Sequence, residues 1–281
     1  MKKFVFTLMV LFFSVYSYAQ DDEKKINSTN EATLIGIGKH FVKDTYLSPL
    51  KYDGWGLRVL NERIKKISLA DGKVSRQQLI NVDFSSTLNP SETARTFTGF
   101  VDYSLGYHYR FNPIRNMRLL VGSSAQAQAG FIYNTRNGNN PASAKLGVNL
   151  NASALLLYTF KIKNYPLTFR YQLETPFAGA AFSPHYGQSY YEIFSLGNHE
   201  DVVKFTSFHN QLAFKNYMTL DFPVRNFTIR TGLLNSSNRM SLNGIKSHTI
   251  SNSFMIGFVR EFISFGGKRQ HQSTLLDSAY Y

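Results

Sequence analysis

The chain of 281 residues contains no cysteine, so no disulfide holds its fold together. Tryptophan occurs once, and acidic residues are scarce, with 18 against 31 lysines and arginines. Past the first twenty residues, no apolar run approaches the roughly 20 residues that a membrane-spanning helix needs. Neither a glycine-rich phosphate loop nor a zinc-ligand spacing is present, so we expect no cofactor and no metal site. The fold must therefore depend on burial and backbone pairing.

The first segment has the features of a secretory signal peptide. Lys2 and Lys3 precede the apolar stretch 4–15, and Ser17-Tyr18-Ala19 fits a small-x-small cleavage site. We expect residues 1–19 to be removed; an anchor helix is the alternative. Without those two lysines the formal net charge falls from +13 to +11. Export makes nucleic acid an unexpected partner, and it favours outer-membrane lipid, lipopolysaccharide or a small anionic solute.

A two-residue alternation dominates the rest of the chain. In 97–111 one set of side chains is apolar and aromatic, from Phe97 through Val101 to Phe111, and the other set is mostly polar. Successive side chains on a strand point to opposite faces. The run is longer than the usual strand of about 5–6 residues in soluble proteins. It fits a tilted strand that crosses a bilayer, with one face toward lipid and the other toward a lumen.

About ten such segments follow the charged lead-in 20–32, with boundaries at 33–43, 54–65, 78–88, 97–111, 117–133, 144–160, 166–177, 206–222, 227–235 and 247–262. They predict a transmembrane antiparallel up-and-down β-barrel over 33–265, with a tail at 266–281; a missed pair of strands would give twelve. The polar stretch 61–63 is expected beyond the bilayer. Residues 66–77, 178–205 and 236–246 are predicted connections. A soluble periplasmic β-protein is the alternative fold.

The leader and three later stretches resemble a family of exported Gram-negative barrel proteins of unknown function. The three stretches are Gly54-Trp55-Gly56, the run 97–111, and the closing 253–258. The resemblance implies an outer-membrane location and no known activity. The aromatic last strand is similar to the signal read by the barrel-assembly machinery, which the resemblance makes an expected partner. The tail 266–281 departs from the pattern in which the chain ends at its last strand.

The inward positions of the predicted strands carry many charged side chains. We expect a lumen network of Arg58, Asp83, Asp102, His108, Arg110, Arg118, Arg170, Glu174, Lys215, Asp221 and Arg230. Because unpaired buried charge is costly, these groups should pair and fill the bore; a narrow passage with a basic lining is the alternative. Arg170 and Glu174 are about 13 Å apart at 3.3 Å per residue, so they would pair through neighbours.

Two groups of residues are candidates for catalysis. His199, Glu200 and Asp201, with His185 nearby, place a possible base beside carboxylates in the connection 178–205. Ser207 and His209 have the two-residue spacing of lipid-acting barrel hydrolases, but they fall on the predicted inward face, and no third member is identifiable. The sequence therefore favours a non-enzymatic barrel, either a narrow pore or a structural or surface-interaction protein. An outer-membrane hydrolase, acting on lipid or peptide with a site at the rim or on the lipid face, is the alternative.

Overall fold

A computed structural model describes residues 28–138, 140–225 and 227–262. Its strands are β1 (Thr29–Asp44), β2 (Ser48–Ile67), β3 (Val74–Leu88), β4 (Arg95–Phe111), β5 (Met117–Asn134), β6 (Ala142–Ile162), β7 (Tyr165–Phe182), β8 (Val203–Thr206), β9 (Gln211–Val224), β10 (Phe227–Leu242) and β11 (Ile245–Phe262). One short helix, α1 (Tyr190–Phe194), lies between β7 and β8. No helix within the described ranges is long and apolar enough to cross a membrane.

Ten of the strands close into an antiparallel barrel. Each strand pairs with the next along the chain, β7 pairs with β9, and β11 pairs with β1 to close the ring. The four-residue strand β8 pairs with the last residues of β7 and lies outside the ring order. The predicted fold, an all-β up-and-down barrel of ten strands, is confirmed.

Side-chain alternation separates the two faces of the wall. On β2, Trp55, Leu57 and Val59 are exposed on the outside, whereas Arg58 and Leu60 are buried inside. The same alternation exposes isoleucine, valine and phenylalanine on β1, β3, β4 and β11. The outer surface is therefore an apolar wall, and the inner surface is a mixture of polar groups and apolar clusters.

The barrel has two unlike ends. The end that carries the connection 183–210, with α1 and β8, is called here the loop end. The opposite end, where residues 28 and 262 lie, is called the terminus end. The connections at the terminus end are the turns between β2 and β3, β4 and β5, β6 and β7, and β9 and β10, all of six residues or fewer. The one long connection thus lies at the loop end.

The predicted loop 236–246 is wrong. β10 continues to Leu242 and β11 begins at Ile245, with pairing as far as Leu242 opposite Ile245. Asn243 and Gly244 make the turn at φ values of 49° and 77°, which suits the two-residue hairpins that asparagine and glycine favour. The Ser- and Asn-rich stretch is strand because its backbone pairs with β9 as well as β11.

Other boundaries also differ. β1 begins at Thr29, within the predicted lead-in, because residues 29–33 pair with the polar end of β2. Pairing likewise extends β2 and β3 into the predicted connection 66–77. The segment predicted as one strand over 206–222 is interrupted by a turn, so β9 begins at Gln211. The predicted signal peptide, residues 20–27 of the lead-in, and the tail 266–281 lie outside the described residues.

Candidate functional site

A cluster of four charged side chains occupies the middle of the barrel. Arg230 holds Asp221 through two hydrogen bonds of 2.7 Å, from Nε to Oδ1 and from Nη2 to Oδ2. Glu62 accepts from Arg230 Nη1 at 2.9 Å and from Arg170 Nη1 at 2.8 Å. These four side chains are called here the central ion cluster. Two arginines face two carboxylates, so the cluster is formally neutral.

All four members of the central ion cluster are buried from solvent. Burial of charge is tolerated when ion pairs have good geometry and further hydrogen bonds satisfy the remaining donors and acceptors. Gln77 and Gln172 supply such bonds: Gln77 Nε2 donates to Glu62 Oε1, and Arg170 Nη2 donates to Gln172 Oε1 at 2.7 Å. The Arg170 guanidinium also lies 5.0 Å from the centre of the buried Tyr217 ring.

Apolar side chains complete the closure of the bore. Leu60 and Ile64 are the inward residues on either side of Glu62 along β2, and neither is exposed. Leu60 belongs to a buried cluster with Leu34 and Met255, and Ile64 belongs to a second one, with Leu155 among its members. The barrel is therefore filled across its middle.

A polar cavity of about 90 Å³ lies between this filled middle and the loop end. Arg58 lines it and pairs with Asp83, Nε to Oδ2 at 2.8 Å, while His40 Nδ1 approaches Asp83 at 3.5 Å. Asp102 accepts from Asn81 at 2.8 Å and from Gln126 at 3.3 Å. We call this cavity the chamber.

Aromatic side chains from the long connection pack together at the loop end, beyond the chamber. Tyr190 and Phe194 of α1 stack with Phe182 of β7, and Tyr190 meets the ring of Tyr46 edge-on at 5.9 Å. Tyr46 Oη donates to the Gln188 carbonyl at 2.8 Å, and the Ala144 amide donates to Tyr190 Oη at 2.6 Å. We call this group the lid.

Burial, with Tyr190 and Asp44 close by, raises the pKa of Tyr46 to about 12. Burial also raises the pKa of Tyr190. At the start of α1, Ser189 and Glu192 form a reciprocal capping box, in which the Ser189 amide donates to Glu192 Oε2 at 2.6 Å. The hydrogen bonds from the Ser189 amide and hydroxyl lower the pKa of Glu192.

A larger cavity of about 780 Å³ opens at the terminus end. Arg115, Arg118 and Arg225 line it, and Glu261 is the one acidic residue in its lining. It has no lining residue in common with the chamber.

The structure places each predicted network residue on an inward position of its strand. Arg170, Asp221 and Arg230 meet in the central ion cluster, whereas Arg58, Asp83, Asp102, Glu174 and Lys215 line the chamber. Arg170 and Glu174 do connect through a neighbour, because Gln172 accepts from Arg170 and donates to Glu174 at 3.3 Å. The remaining three lie apart: His108 is buried without a hydrogen-bond partner for either ring nitrogen, Arg110 donates to Ser75, and Arg118 lines the terminus-end cavity.

Sequence reasoning missed the centre of the cluster. Glu62 was expected beyond the bilayer with its neighbours Asn61 and Arg63, but its side chain points into the bore and is fully buried. Arg63 instead lies on the outer surface, where it pairs with Glu31 at 2.8 Å. The available signal was the even-number register of β2, which places Glu62 on the same face as Arg58 and Leu60.

The carboxylates of the long connection do not assemble a site around His199. His199, Glu200 and Asp201 are all exposed, and Asp201 pairs with Lys204 at 2.8 Å. That pair lowers the pKa of Asp201. Within the described ranges, no group of three His, Asp or Glu side chains is arranged to hold a metal ion.

Ser207 and His209 lie in the turn between β8 and β9, so their predicted inward placement on a strand is wrong. The Asn210 side chain accepts from the Ser207 amide, and the Gln211 amide donates to the Ser207 carbonyl, which closes the turn. Ser207 Oγ lies 2.6 Å from His209 Nδ1, and the His209 ring stacks on Phe205. The two side chains therefore meet at the loop end, outside the bore.

The closed ring, filled bore and apolar outer wall define a ten-stranded β-barrel protein. The chain belongs to the family described as protein of unknown function (DUF3316), whose sequence profile matches residues 4–269. This family membership confirms the resemblance to barrels of unknown function. Among the curated proteins, none matches the chain.

Solved structures with a similar fold include three barrels. The transport unit of the autotransporter AIDA-I from Escherichia coli is 13% identical, with 92% of this chain and 97% of that chain covered and a TM-score of 0.40. The outer membrane protease OmpT from Escherichia coli is 11% identical, with 88% and 99% covered and a TM-score of 0.43. The COG4313 outer membrane channel from Pseudomonas putida F1 is 9% identical, with 88% and 100% covered and a TM-score of 0.34.

Proposed function

We propose that the protein is a non-enzymatic outer-membrane barrel that is closed to free diffusion and encloses a small polar chamber beneath an external lid. The apolar outer wall supports the location. Between residues 258 and 248, β11 has four apolar side chains that point outward: Phe258, Ile256, Phe254 and Ile250. Ten residues at about 3.3 Å each and a tilt of about 40° span roughly 25 Å along the barrel axis, the height of a lipid-facing band. Export by the predicted signal peptide is part of this proposal.

The connections support an orientation. Outer-membrane barrels have short periplasmic turns and longer external loops. The connection 183–210 therefore supports an orientation with the loop end at the cell exterior and the terminus end in the periplasm. Outer-membrane lipid and lipopolysaccharide would surround the wall, and the barrel-assembly machinery would act on the chain during insertion.

The central ion cluster is the observation that carries the proposed closure. Four interlocked charges and the apolar clusters around them separate the chamber from the terminus-end cavity. The chamber lining contains three carboxylates and two basic side chains, Arg58 and Lys215, so it favours a small neutral polar solute. The predicted small anionic solute fits the arginines of the terminus-end cavity better.

Conductance in planar bilayers tests the closure. The wild-type protein should be silent, because a filled bore offers ions no continuous water path. A variant that replaces the central ion cluster with serines (E62S/R170S/D221S/R230S) should show discrete conductance steps. The matched control, E174Q/K215Q, removes a lumen ion pair but leaves the cluster intact, and it should stay silent. Steps in the wild-type protein would overturn the closed barrel in favour of a narrow pore.

Ester hydrolysis is the second candidate function, and the contact between Ser207 and His209 favours it. His209 Nδ1 could take the hydroxyl proton as Ser207 Oγ attacks an acyl carbonyl; the ester bond would break and the proton would pass to the leaving alcohol. Water would then release the acyl group. No carboxylate contacts His209 within the described part of the chain, so the orienting member of a triad is missing.

Acyl release from a detergent-solubilised phospholipid or lipid A preparation tests this second candidate. A hydrolase would lose at least about 10³-fold in rate on Ser207→Ala and on His209→Gln, as expected for members of a catalytic unit. Equal background release from the wild-type protein and both variants would support the non-enzymatic proposal.

A further inference from the structure

We propose that the outer wall of β10, β11, β1 and β2 carries a binding site for the phosphates of an acylated glycolipid of the lipid A class. This inference rests on the proposed outer-membrane location. Four basic side chains form a row across these adjacent strands: Arg239, His248, Lys43 and Lys51. In the strand register, His248 lies directly opposite Arg239 on one side and Lys43 on the other. On β2, Lys51 precedes Tyr52, the strand partner of Val42, so it lies beside Lys43.

The basic row is fixed at its centre. Arg239 Nε donates to His248 Nε2 at 2.6 Å, which holds the guanidinium plane beside the imidazole. The ion pairs found on the outer surface of the described chain are Arg63 with Glu31 at the terminus end and Lys204 with Asp201 in the long connection. Neither involves the row. The cations of the row, Arg239, Lys43 and Lys51, are therefore available to an external anion, and His248, which accepts from Arg239, is the neutral member.

A cleft of about 350 Å³ adjoins the row at the loop end. Lys43, Arg239, Lys246 and His248 line it, together with His209 from the turn before β9, and none of its lining residues is acidic. The nearest carboxylate on the outer face of β2 belongs to Asp53. Its strand partner is Phe41, which lies two residues from Lys43 in the direction of the barrel middle. Phosphate oxygens make strong, charge-assisted hydrogen bonds to such donors.

Apolar side chains lie beside and below the basic groups. Leu212 is the strand partner of Arg239, and Phe208 lines the same cleft. Phe41 and Ile250 are the next outward residues below Lys43 and His248. A ligand with a phosphorylated headgroup and acyl chains would therefore meet cations first and apolar surface beneath them.

The position of the row relative to the proposed membrane, and its width, favour a glycolipid over a free anion. The row lies about 25 Å above Phe258, at the upper edge of the proposed lipid-facing band, where outer-leaflet headgroups begin. Four adjacent strands about 4.8 Å apart make it roughly 14 Å wide. That width exceeds one phosphate and suits a headgroup with a phosphate at each end.

Binding to lipid A in nanodiscs of neutral phospholipid tests the site. We expect K43Q/R239Q to bind bisphosphorylated lipid A about thirtyfold more weakly than the wild-type protein, since loss of each cation near an anionic headgroup weakens binding about fivefold. The matched control, K65Q/R76Q, removes two charges from the outer wall at the terminus end, where Lys65 and Arg76 are strand partners. That control should bind like the wild-type protein.

Each alternative has its own result. Equal weakening in both double variants would mean that net charge alone attracts the lipid, and unchanged affinity in K43Q/R239Q would remove the row from the site; either overturns the inference. Equally tight binding of dephosphorylated lipid A, phosphatidylglycerol or inorganic phosphate would overturn the glycolipid assignment. Heat-modifiable gel mobility and membrane fractionation report separately on the proposed barrel location, so a failure there is distinct from a failure of binding.

Discussion

At the scale of single residues, Glu62 is the position on which the buried charge of the barrel depends. Glu62→Gln keeps the size of the side chain but leaves two buried arginines facing one carboxylate, Asp221. We expect a loss of about 3–5 kcal/mol in the free energy of unfolding, as for other buried pairs that lose one partner. Urea unfolding from lipid vesicles, followed by the fluorescence of the single tryptophan, Trp55, measures this.

Glu31→Gln is the control for that variant. Its partner Arg63 is half exposed on the outer surface, so this pair should contribute no more than about 1 kcal/mol. Equal destabilisation by both variants would contradict the assignment of the buried charge balance to Glu62.

The raised pKa of Tyr46 leads us to expect that alkaline pH destabilises the lid. Its pKa is raised from 10.0 to about 12, so the folded lid favours the protonated phenol. The resulting stabilisation is fully present below pH 10 and is lost as the pH rises through about 12. Tyrosinate absorbance should therefore show a late-titrating group that Tyr46→Phe removes. A titration curve unchanged by that substitution would contradict the buried position of Tyr46.

The sequence predicts which face of a strand a residue occupies far better than it predicts partners. The alternation of inward and outward positions along each strand was enough to place Arg170, Asp221 and Arg230 in the bore. It could not show that Glu62 meets both arginines, because β2 is far from β7 and β10 in the chain and the contacts run across the lumen. The polarity of Asn61 and Arg63 then concealed Glu62, since a polar run on both faces removes the alternation that marks a strand.

At the scale of strands, an amide ladder crosses the outer wall. Tyr171 Oη donates to Asn216 Oδ1 at 2.9 Å, Asn216 donates to Asn235 at 3.1 Å, and Asn235 donates to Asn252 at 2.6 Å. These four side chains lie on β7, β9, β10 and β11, in that order. The hydrogen bonds between amides would reduce the cost of polar groups on a wall that the proposed location turns toward lipid.

The ladder predicts that single and combined substitutions act in opposite directions. Asn235→Leu breaks two of its hydrogen bonds and should destabilise the barrel by about 1–2 kcal/mol. The quadruple variant Y171F/N216L/N235L/N252L removes every polar partner of the ladder, including the Tyr171 hydroxyl, and should recover that loss. Urea unfolding in vesicles measures both, and a quadruple variant less stable than the single one would contradict the interpretation.

The strands also show why connections are harder to predict than alternation. Ser236, Ser237 and Asn238 have low strand propensity, yet each has a pairing partner on both neighbours. The turn at Asn243-Gly244 was the better local signal for the hairpin. The sequence analysis missed the turn at 207–210 because hydrophobic residues flank and occupy it. Phe205, Phe208 and Leu212 make this stretch look like a continuous strand.

At the scale of the whole molecule, the lid and the central ion cluster lie on opposite sides of the chamber, and we expect each to close its own side. The leader and the two-residue alternation predicted an exported barrel, but the lid depends on α1 meeting Phe182 and Tyr46, which are distant in sequence. Opening the lid should expose the chamber without opening a path through the barrel. The two closures are thus separable by experiment.

The chain contains no cysteine, so a single introduced thiol is the only site that a maleimide can label. Its labelling rate can therefore measure the two closures one at a time. Ser236→Cys lies in the chamber lining, and Ser75→Cys lies buried in the terminus-end half of β3. With a membrane-impermeant maleimide applied to intact cells, the thiol at 236 should react at least about tenfold faster once Y190A/F194A removes the two aromatics of α1, because their ring contacts with Phe182 and Tyr46 hold the lid in place. The thiol at 75 should stay unlabelled from outside in both backgrounds, since the central ion cluster still blocks the bore. Labelling at 75 after loss of the lid alone would show that the lid, and not the cluster, closes the barrel.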